Sequence, residues 1–348
     1  MNFKKYIISL AVILWCTTSF VNLSYAQELS RYTFKEQHMG TLFTLIFYAP
    51  DDSTAQSAAD LAFKRIEQLN TILSDYDPNS NLNKLSERSG SDKYIPVDST
   101  LFTVVSKSQE VAEETNGAFD ITIGPFVRLW REIRQMEEPK LPDRKVLKDL
   151  STRIGYQNVA LDSSTTSIAL EQENMQLDLG AIAKGYTTDE VLRILGNQNI
   201  HSALIDAGGD IRVGDPPPGK NGWIIRIPVH TKEGTSNNIT LQLSNRAVAT
   251  SGDLFQYVYI NGERYSHIIN PKSGMGLTTQ SMVTVIAPDG ITADSYASAL
   301  SVMDAEEGIS LINQKCSVEG RIEYQHQTEE GIKINQSAHF NRLILDSE

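Results

Sequence analysis

Apolar residues recur at Ala58, Leu61, Ala62, Ile66, Leu69, Ile72 and Leu73, a three-and-four spacing that predicts one buried face of a helix over 53–73. Asp52 or Ser53 is placed to cap its start. Ahead of it, residues 42–47 and those before them read as a strand entering from His38-Met39-Gly40-Thr41. The polar stretch 74–80 breaks the pattern with turn-forming residues, and Leu101, Val104, Val105, Val111 and Ala112 mark a second helix. Residues 117–125 read as a loop, 127–133 as a helix, and 134–149, with Pro139 and Pro142, as a surface excursion.

From Asn158 onward the texture turns strand-rich. Strands are expected at 159–161, 167–170, 175–179 and 202–205, with a helix from 181 to about 195 between the last two. Further strands follow at 223–229, 239–243, 247–250, 256–260 and 282–286, and the tail after Cys316 is expected to add edge strands. No repeat of fixed period and no low-complexity tract is visible. This order predicts an α+β (mixed α/β) fold rather than a doubly wound sheet, because too many strands adjoin one another without an intervening helix.

The N-terminus adds a compartment. Lys4 and Lys5 precede an apolar run over 6–20, and Ser24-Tyr25-Ala26 follows, the charged start, greasy middle and small-residue exit of a secretory signal peptide. Residues 1–26 are therefore expected to be removed, leaving 27–348 exported to the periplasm, free or associated with the membrane. A retained anchor fits less well, since the run is shorter than the ~20 residues that span a bilayer and contains Cys16, Thr17, Thr18 and Ser19. Beyond the leader only Cys316 remains, so no intramolecular disulfide can form and the fold must stand on its core. About 320 residues with 40% hydrophobic content can build one large domain or two intimately packed lobes.

Without Lys4 and Lys5 the chain carries 29 basic and 43 acidic residues, a formal charge of −14, which argues against nucleic acid as a partner. So acidic a protein needs a metal or local basic residues to bind a phosphate-rich ligand.

Five segments carry candidate chemistry. The run from Leu177 through Asp178, Gly180, Ala181 and Lys184 to Tyr186 is a strand, a glycine turn and a helix start with a lysine in its first turn. Unpaired amides, the helix dipole and the ammonium there suit phosphate, although an ordinary strand-to-helix corner has the same letters, and this is no Walker loop. Asp206-Ala207-Gly208-Gly209-Asp210 permits close approach of a ligand to the backbone or makes a hairpin turn. Thr250-Ser251-Gly252-Asp253 and the segment from Tyr265 to Gly274 form hydroxyl- and glycine-bearing loops, with His267 as a candidate base. The other histidines are at positions 38, 201, 230, 326 and 339. Asp294 and Ser298 lie four apart on one helical face, where they can grip a hard cation such as magnesium or simply favour the helix start.

Taken in order, these pieces resemble the ApbE family, the FAD:protein FMN transferases, from about Thr33 to Met303. Five motifs carry the resemblance: His38 to Thr41, Asn116 to Pro125, Asp178 to Tyr186, Asp206 to Asp210, and His267 to Gly274 followed by Ala293-Asp294. The resemblance implies a single domain of the ApbE, T-fold-like type with mixed sheets and flanking helices. It implies that Met39 lies against the flavin, that Asp120 and Thr122 line the FAD cleft, that Asp178 and Lys184 contact the dinucleotide, and that Ile269 helps enclose it. The Ala181 carbonyl, Asp294 and Ser298 become the implied Mg2+ ligands, His267 the implied base, and the loop with Tyr76 and 80–83 a further flavin-contacting segment.

There are departures. Ser298 stands where threonine is usual, Ala297 where some relatives have a second carboxylate, and Asn270 where aspartate is common. The implied reaction moves FMN from FAD to a threonine or serine hydroxyl of an acceptor protein, such as a membrane-associated redox subunit, and releases AMP. The rival expectations are an FAD pyrophosphatase giving FMN and AMP, and a periplasmic flavin-binding protein without chemistry.

Overall fold

A computed structural model describes residues 28–91, 93–229, 237–252, 256–325 and 331–345. The expected leader, Asp253, His230 and His326 lie outside the described residues.

Strand β2 (Thr41–Ala49) buries Phe43, Leu45, Phe47 and Ala49 in strict alternation, so one face of the strand belongs to a core. A turn at Met39 and Gly40 joins it to β1 (Ser30–His38), and its other edge pairs with β6 (Ala203–Ala207). The sheet continues through β7 (Ile211–Val213), β10 (Arg246–Gly252), β13 (Gln280–Ala287), β14 (Glu319–Gln325) and β15 (Lys333–Gln336). Among the described residues these eight strands form one sheet, in the order β1-β2-β6-β7-β10-β13-β14-β15, and every ladder is antiparallel. The tail after Cys316 supplies two strands, with β15 at the edge.

Helices cover one face. Ala58, Ala59, Ala62 and Ile66 of α1 (Asp52–Leu73) and Val191 and Leu195 of a later helix, α6 (Ala183–Asn197), pack on Phe43, Leu45, Phe47 and Ile205. The alanine stripe lets α1 come close. Ala293, Ala297 and Leu300 of α7 (Gly290–Val302) share a core with Ala247, Ala249, Val283 and Val285. The other face is closed by β8 (Trp223–Val229) and β9 (Asn237–Leu243), whose Trp223, Ile225, Ile227, Leu241 and Leu243 meet Ile46, Leu204, Val213, Val248 and Ile286. The remaining helices are α2 (Asn81–Ser86), α3 (Ser99–Glu114), α4 (Gly124–Gln135), α5 (Arg144–Ser151) and α8 (Ala305–Asn313). Small sheets are formed by β3 (Ile95–Pro96) with β4 (Val159–Asp162) and β5 (Ser167–Leu170), and by β11 (Tyr257–Ile260) with β12 (Glu263–Ser266). The expected α+β fold is what is found.

Some elements differ from expectation. Asp51, rather than Asp52 or Ser53, caps α1 by accepting the Thr54 N–H at 2.8 Å. Residues 175–179 are not a strand: the Asp178 N–H donates to the Ile121 carbonyl at 2.7 Å, the Leu177 N–H donates to Ser86 Oγ at 3.2 Å, and only Gln176 makes a bridge, with Ile123. Wedged between α2 and the 117–125 loop, this segment finds single partners on each side instead of a ladder. α6 starts at Ala183, two residues later than expected, because the Leu179 carbonyl takes both the Ile182 and Ala183 N–H groups in a tight turn. The excursion 134–149 contains the start of α5, capped by Asp143 and without a fully buried residue, which is why periodicity did not mark it.

Candidate functional site

The N-cap of α6, Ile182, has no side-chain oxygen to offer the first-turn amides. The Gly185 N–H finds its acceptor on another helix, donating to Asp294 Oδ2 of α7 at 2.9 Å. The favour is returned one turn on, where Asp189 of α6 accepts the Gly290 and Ile291 N–H groups of α7 at 2.8 and 2.9 Å and pairs with Arg212 at 3.0 Å. Burial pushes the Asp189 carboxyl up to about 6, against the pull of those two amides and of Arg212. The two helices thus cap each other, and they can do so only because glycines meet at the crossing. A Cβ on Gly185 would overlap the Gly290 carbonyl, and one on Gly290 would overlap the Gly185 carbonyl. Gly185→Ala is expected to cost about 1–3 kcal/mol through overpacking. Thermal unfolding of the purified variant measures this, and an unchanged melting temperature would contradict the tight crossing.

Lys184, in the first turn of α6, is ion-paired with Asp210. Asp210 closes the β6–β7 turn, where the Ala207 N–H donates to the Asp210 carbonyl and Gly208 and Gly209 take φ of +71° and +105°. The hairpin reading of 206–210 therefore holds, and the turn also presents a carboxylate. Gly208 is needed for a second reason, since a Cβ there would overlap Thr41 Oγ1. That close approach sets the β1–β2 turn beside the β6–β7 turn, and Met39 of the former accepts from Thr187 Oγ1 of α6 at 3.5 Å. Met39, Lys184, Asp210 and Asp294 are in this way gathered around the first two turns of α6.

Electrostatics there are strongly coupled. Burial disfavours charge on Lys184, but Asp210, then Asp294 and Asp206, outweigh it and hold the ammonium above its ordinary range. Burial, then the neighbouring Asp210 carboxylate, push the Asp294 carboxyl up to about 7, while Lys184 and the Gly185 amide pull it back. Burial likewise raises Asp210, opposed by Lys184.

Among the described residues no group of three or more His, Cys, Asp or Glu is placed to hold a metal. Asp294 is 5% exposed, and one of its oxygens carries the Gly185 N–H. The Ala181 carbonyl accepts no backbone hydrogen bond among the described residues, because the amide four residues on has turned to Asp294. Ser298, half-buried, lies one helical turn beyond Asp294. A carboxylate, a spare carbonyl and a hydroxyl fit magnesium, which takes few protein oxygens and completes its octahedron with water and phosphate.

Asp178 sits three residues before Ala181. Its Oδ1 accepts the Gly180 N–H at 2.8 Å, and its Oδ2 lies 3.3 Å from Arg131 of α4. Burial, then Asp75, push this carboxyl up to about 6, against Gly180 and Arg131. Asp120 and Thr122 flank it through the bond between Ile121 and Asp178, but their own polar atoms turn inward. Asp120 accepts from the Thr122 N–H and Oγ1 at 2.8 and 2.7 Å and from the Tyr156 N–H at 3.0 Å, and Thr122 Oγ1 accepts the Gly155 N–H at 2.8 Å. These two residues tie the 117–125 loop to 155–156, with Thr122 fully buried.

His267 follows β12 directly. Its Nδ1 lies 3.1 Å from the Gln256 carbonyl, and its own N–H donates to the same oxygen. A carbonyl only accepts, so Nδ1 carries the proton and Nε2 is the basic nitrogen. Ile269 is buried beside Phe126, Trp130 and Tyr265. The loop is pinned to α4 by Trp130 Nε1, which donates to the Gly274 carbonyl at 2.8 Å. Gly274, at φ +70°, packs its bare Cα on the Phe126 ring. Asn270 does not orient His267 through any contact found here. Its Oδ1 accepts the Lys272 N–H at 2.9 Å, a turn-closing role that an amide fills as well as a carboxylate.

α4 therefore links the two halves of the candidate site, and sequence reasoning missed its part. The signal was there: Arg128, Arg131 and Arg134 recur every third residue in a helix otherwise read for its apolar side. A cavity of about 740 Å3 on the far side of α6, lined among others by Phe102, Tyr186, Asp189, Arg212 and Asp289, contains none of Met39, Lys184, His267 and Asp294.

Fold and site together define an α+β protein in which a helix start with a lysine in its first turn stands beside the buried carboxylates of Asp210 and Asp294, a class of site suited to phosphate esters held with a cation. Comparison with known proteins narrows this. The sequence profile of the ApbE family matches residues 39–322. The chain is 30% identical over 300 residues to a protein of Treponema pallidum named FAD:protein FMN transferase, covering 81% of this chain and 82% of that one. A protein of the same name from Klebsiella pneumoniae is 29% identical over 286 residues, 82% of this chain and 86% of its own. Among solved structures, the flavin transferase ApbE from Vibrio cholerae superposes with a TM-score of 0.82 at 25% identity, covering 91% of this chain and all of that one. The chain belongs to the ApbE family, and with it to the transferases.

Proposed function

We propose that this protein is a magnesium-dependent FAD:protein FMN transferase. The observation that carries the proposal is the mutual capping of α6 and α7, which puts Lys184, the Asp294 carboxylate and the unpartnered Ala181 carbonyl at one helix start. In the proposed reaction a serine or threonine hydroxyl of an acceptor protein attacks the FMN-side phosphorus of FAD. A new P–O bond forms, the bond to the bridging oxygen breaks, and AMP leaves. Magnesium, held by Asp294, the Ala181 carbonyl and Ser298, supplies charge neutralisation at the phosphates when bound. Lys184 exchanges Asp210 for a phosphate oxygen, and the positive end of the α6 dipole adds to its charge. His267 Nε2 takes the proton of the attacking hydroxyl, while its Nδ1–H stays on the Gln256 carbonyl. Met39, Asp178 and Ile269, with Asp120 and Thr122 behind the 117–125 loop, position the dinucleotide. Little covalent work falls to the protein, so orientation and charge supply most of the rate.

Incubation with FAD and magnesium, with and without a hydroxyl-bearing acceptor peptide, tests the proposal. AMP together with covalently flavinylated peptide is the expected result. AMP with free FMN only assigns hydrolysis, and neither product assigns a binding protein. We also propose export to the periplasm, on the pattern of residues 1–26. N-terminal sequencing of the cell-derived protein should begin at Gln27.

Lys184→Ala is expected to weaken FAD binding by roughly ten- to a hundredfold, the loss of one charge-assisted contact of about 1.5–3 kcal/mol. Titration with FAD measures it, and an unchanged dissociation constant would mean that Lys184 never leaves Asp210.

A further inference from the structure

Arg131 of α4 joins two segments of the candidate site that the sequence did not connect. Its Nη1 lies 2.5 Å from Asp75 and its Nη2 3.3 Å from Asp178, so one guanidinium bridges the loop after α1 and the corner before α6. The same group stands 4.0 Å from the centre of the Tyr76 ring. Tyr76 is 75% exposed, an aromatic ring held on one face by a cation and presented to solvent on the other. The loop has its own scaffold: Asn83 Nδ2 donates to the carbonyls of Asp75 and Asp77 at 3.0 and 2.7 Å, and Ser80 caps α2. Attachment of the loop to Asp178 comes from Arg131 and from the Asp75 carboxyl beside it.

We infer that Arg131 is a positioning residue for the dinucleotide, a clamp that ties the Tyr76 loop to the Asp178 corner so that an aromatic ring and the phosphate-binding helix start keep a fixed spacing. A planar fork suits this work, since two carboxylates on different segments can be held at once and the flat guanidinium still lies over a ring. The role rests on the reading of this site as one for FAD. It differs from catalysis, because Arg131 acts through Tyr76 and Asp178 and need not touch the reacting phosphorus.

The experiment uses the full mature chain, with FAD and AMP as probes of binding and an acceptor peptide for turnover. Arg131→Ala should raise the FAD dissociation constant about tenfold or more, the loss of a charge-assisted bridge and of a cation over the ring. Turnover at saturating FAD should fall by a smaller factor than affinity, since saturation restores occupancy but not the fixed spacing. AMP, which has no second ring to place, should bind as before. Asp75→Asn, which keeps the volume and removes the charge, should act in the same direction, and the double variant should be no weaker than the weaker single. Arg131→Lys, able to reach one carboxylate but not two, should restore part of the affinity. FAD affinity unchanged in both single variants, AMP affinity lost in parallel, or full additivity in the double variant would overturn the clamp. If Arg131→Ala does not fold, Asp75→Asn and Arg131→Lys decide the matter alone. Failure of the wild type to bind FAD would instead overturn the reading of the whole site, and the clamp with it.

Discussion

Asp294→Ala is expected to abolish flavin transfer at ordinary magnesium concentration. Asp294 is the only carboxylate assigned to the cation, and the same group accepts the Gly185 N–H that fixes the start of α6 against α7. On that assignment its loss would remove the metal and loosen the start of α6 in one step. A pH signature distinguishes this from simple damage. In the free protein burial and Asp210 push the Asp294 carboxyl up to about 7, from an ordinary value of 3.8. Between those values the folded chain holds a proton that the unfolded chain has released, so the contribution of Asp294 to stability falls as pH rises from about 4 to about 7 and is level above that. Magnesium must displace that proton, so its stabilising effect on thermal unfolding should grow over the same window. Asp294→Asn should flatten both dependences. Full transfer by Asp294→Ala, or magnesium stabilisation that ignores pH in the wild type, would remove Asp294 from the metal site.

The second large effect is expected at His267. Its Nδ1–H is committed to the Gln256 carbonyl, which orients the ring and makes Nε2 the basic atom. The Trp130–Gly274 bond and the packing of Ile269 hold the rest of its loop independently of the imidazole. His267→Ala should therefore leave FAD and magnesium binding nearly intact while slowing transfer by the ~10²–10⁴-fold typical of removing a general base. Stopped-flow or quenched turnover at saturating FAD measures the slowing. Transfer at the wild-type rate, or a variant that fails to bind FAD, would make His267 a packing residue and leave the hydroxyl to be deprotonated by other means.

What the sequence determined by itself was local. The helix over 53–73, the alternation in β2, the glycines of the 206–210 turn and the α+β order all follow from periodicity and turn chemistry, which are written in neighbouring residues. The order of motifs resembled a family, and the family match bears that out. Tertiary structure decided which of the candidate groups meet. Asp294 and Gly185 are 109 residues apart in the chain, and their hydrogen bond depends on two glycines that let α6 and α7 touch. Lys184 was legible as a cation at a helix start, but its pairing with Asp210 required β6 and β7 to lie beside α6. Residues 175–179 looked like a strand because they are apolar and alternate, yet the backbone there found partners one at a time on two different neighbours. Arg131 was hidden for the converse reason. On the sequence it is one basic residue in a charged helix, and only the approach of Asp75, Tyr76 and Asp178 from separate segments, up to 56 residues away for Asp75 and 47 for Asp178, makes it a bridge. Propensity and pattern act over a few residues, whereas desolvation and ion pairing depend on whatever the fold brings within a few ångströms, and that is where the chemistry of this site was settled.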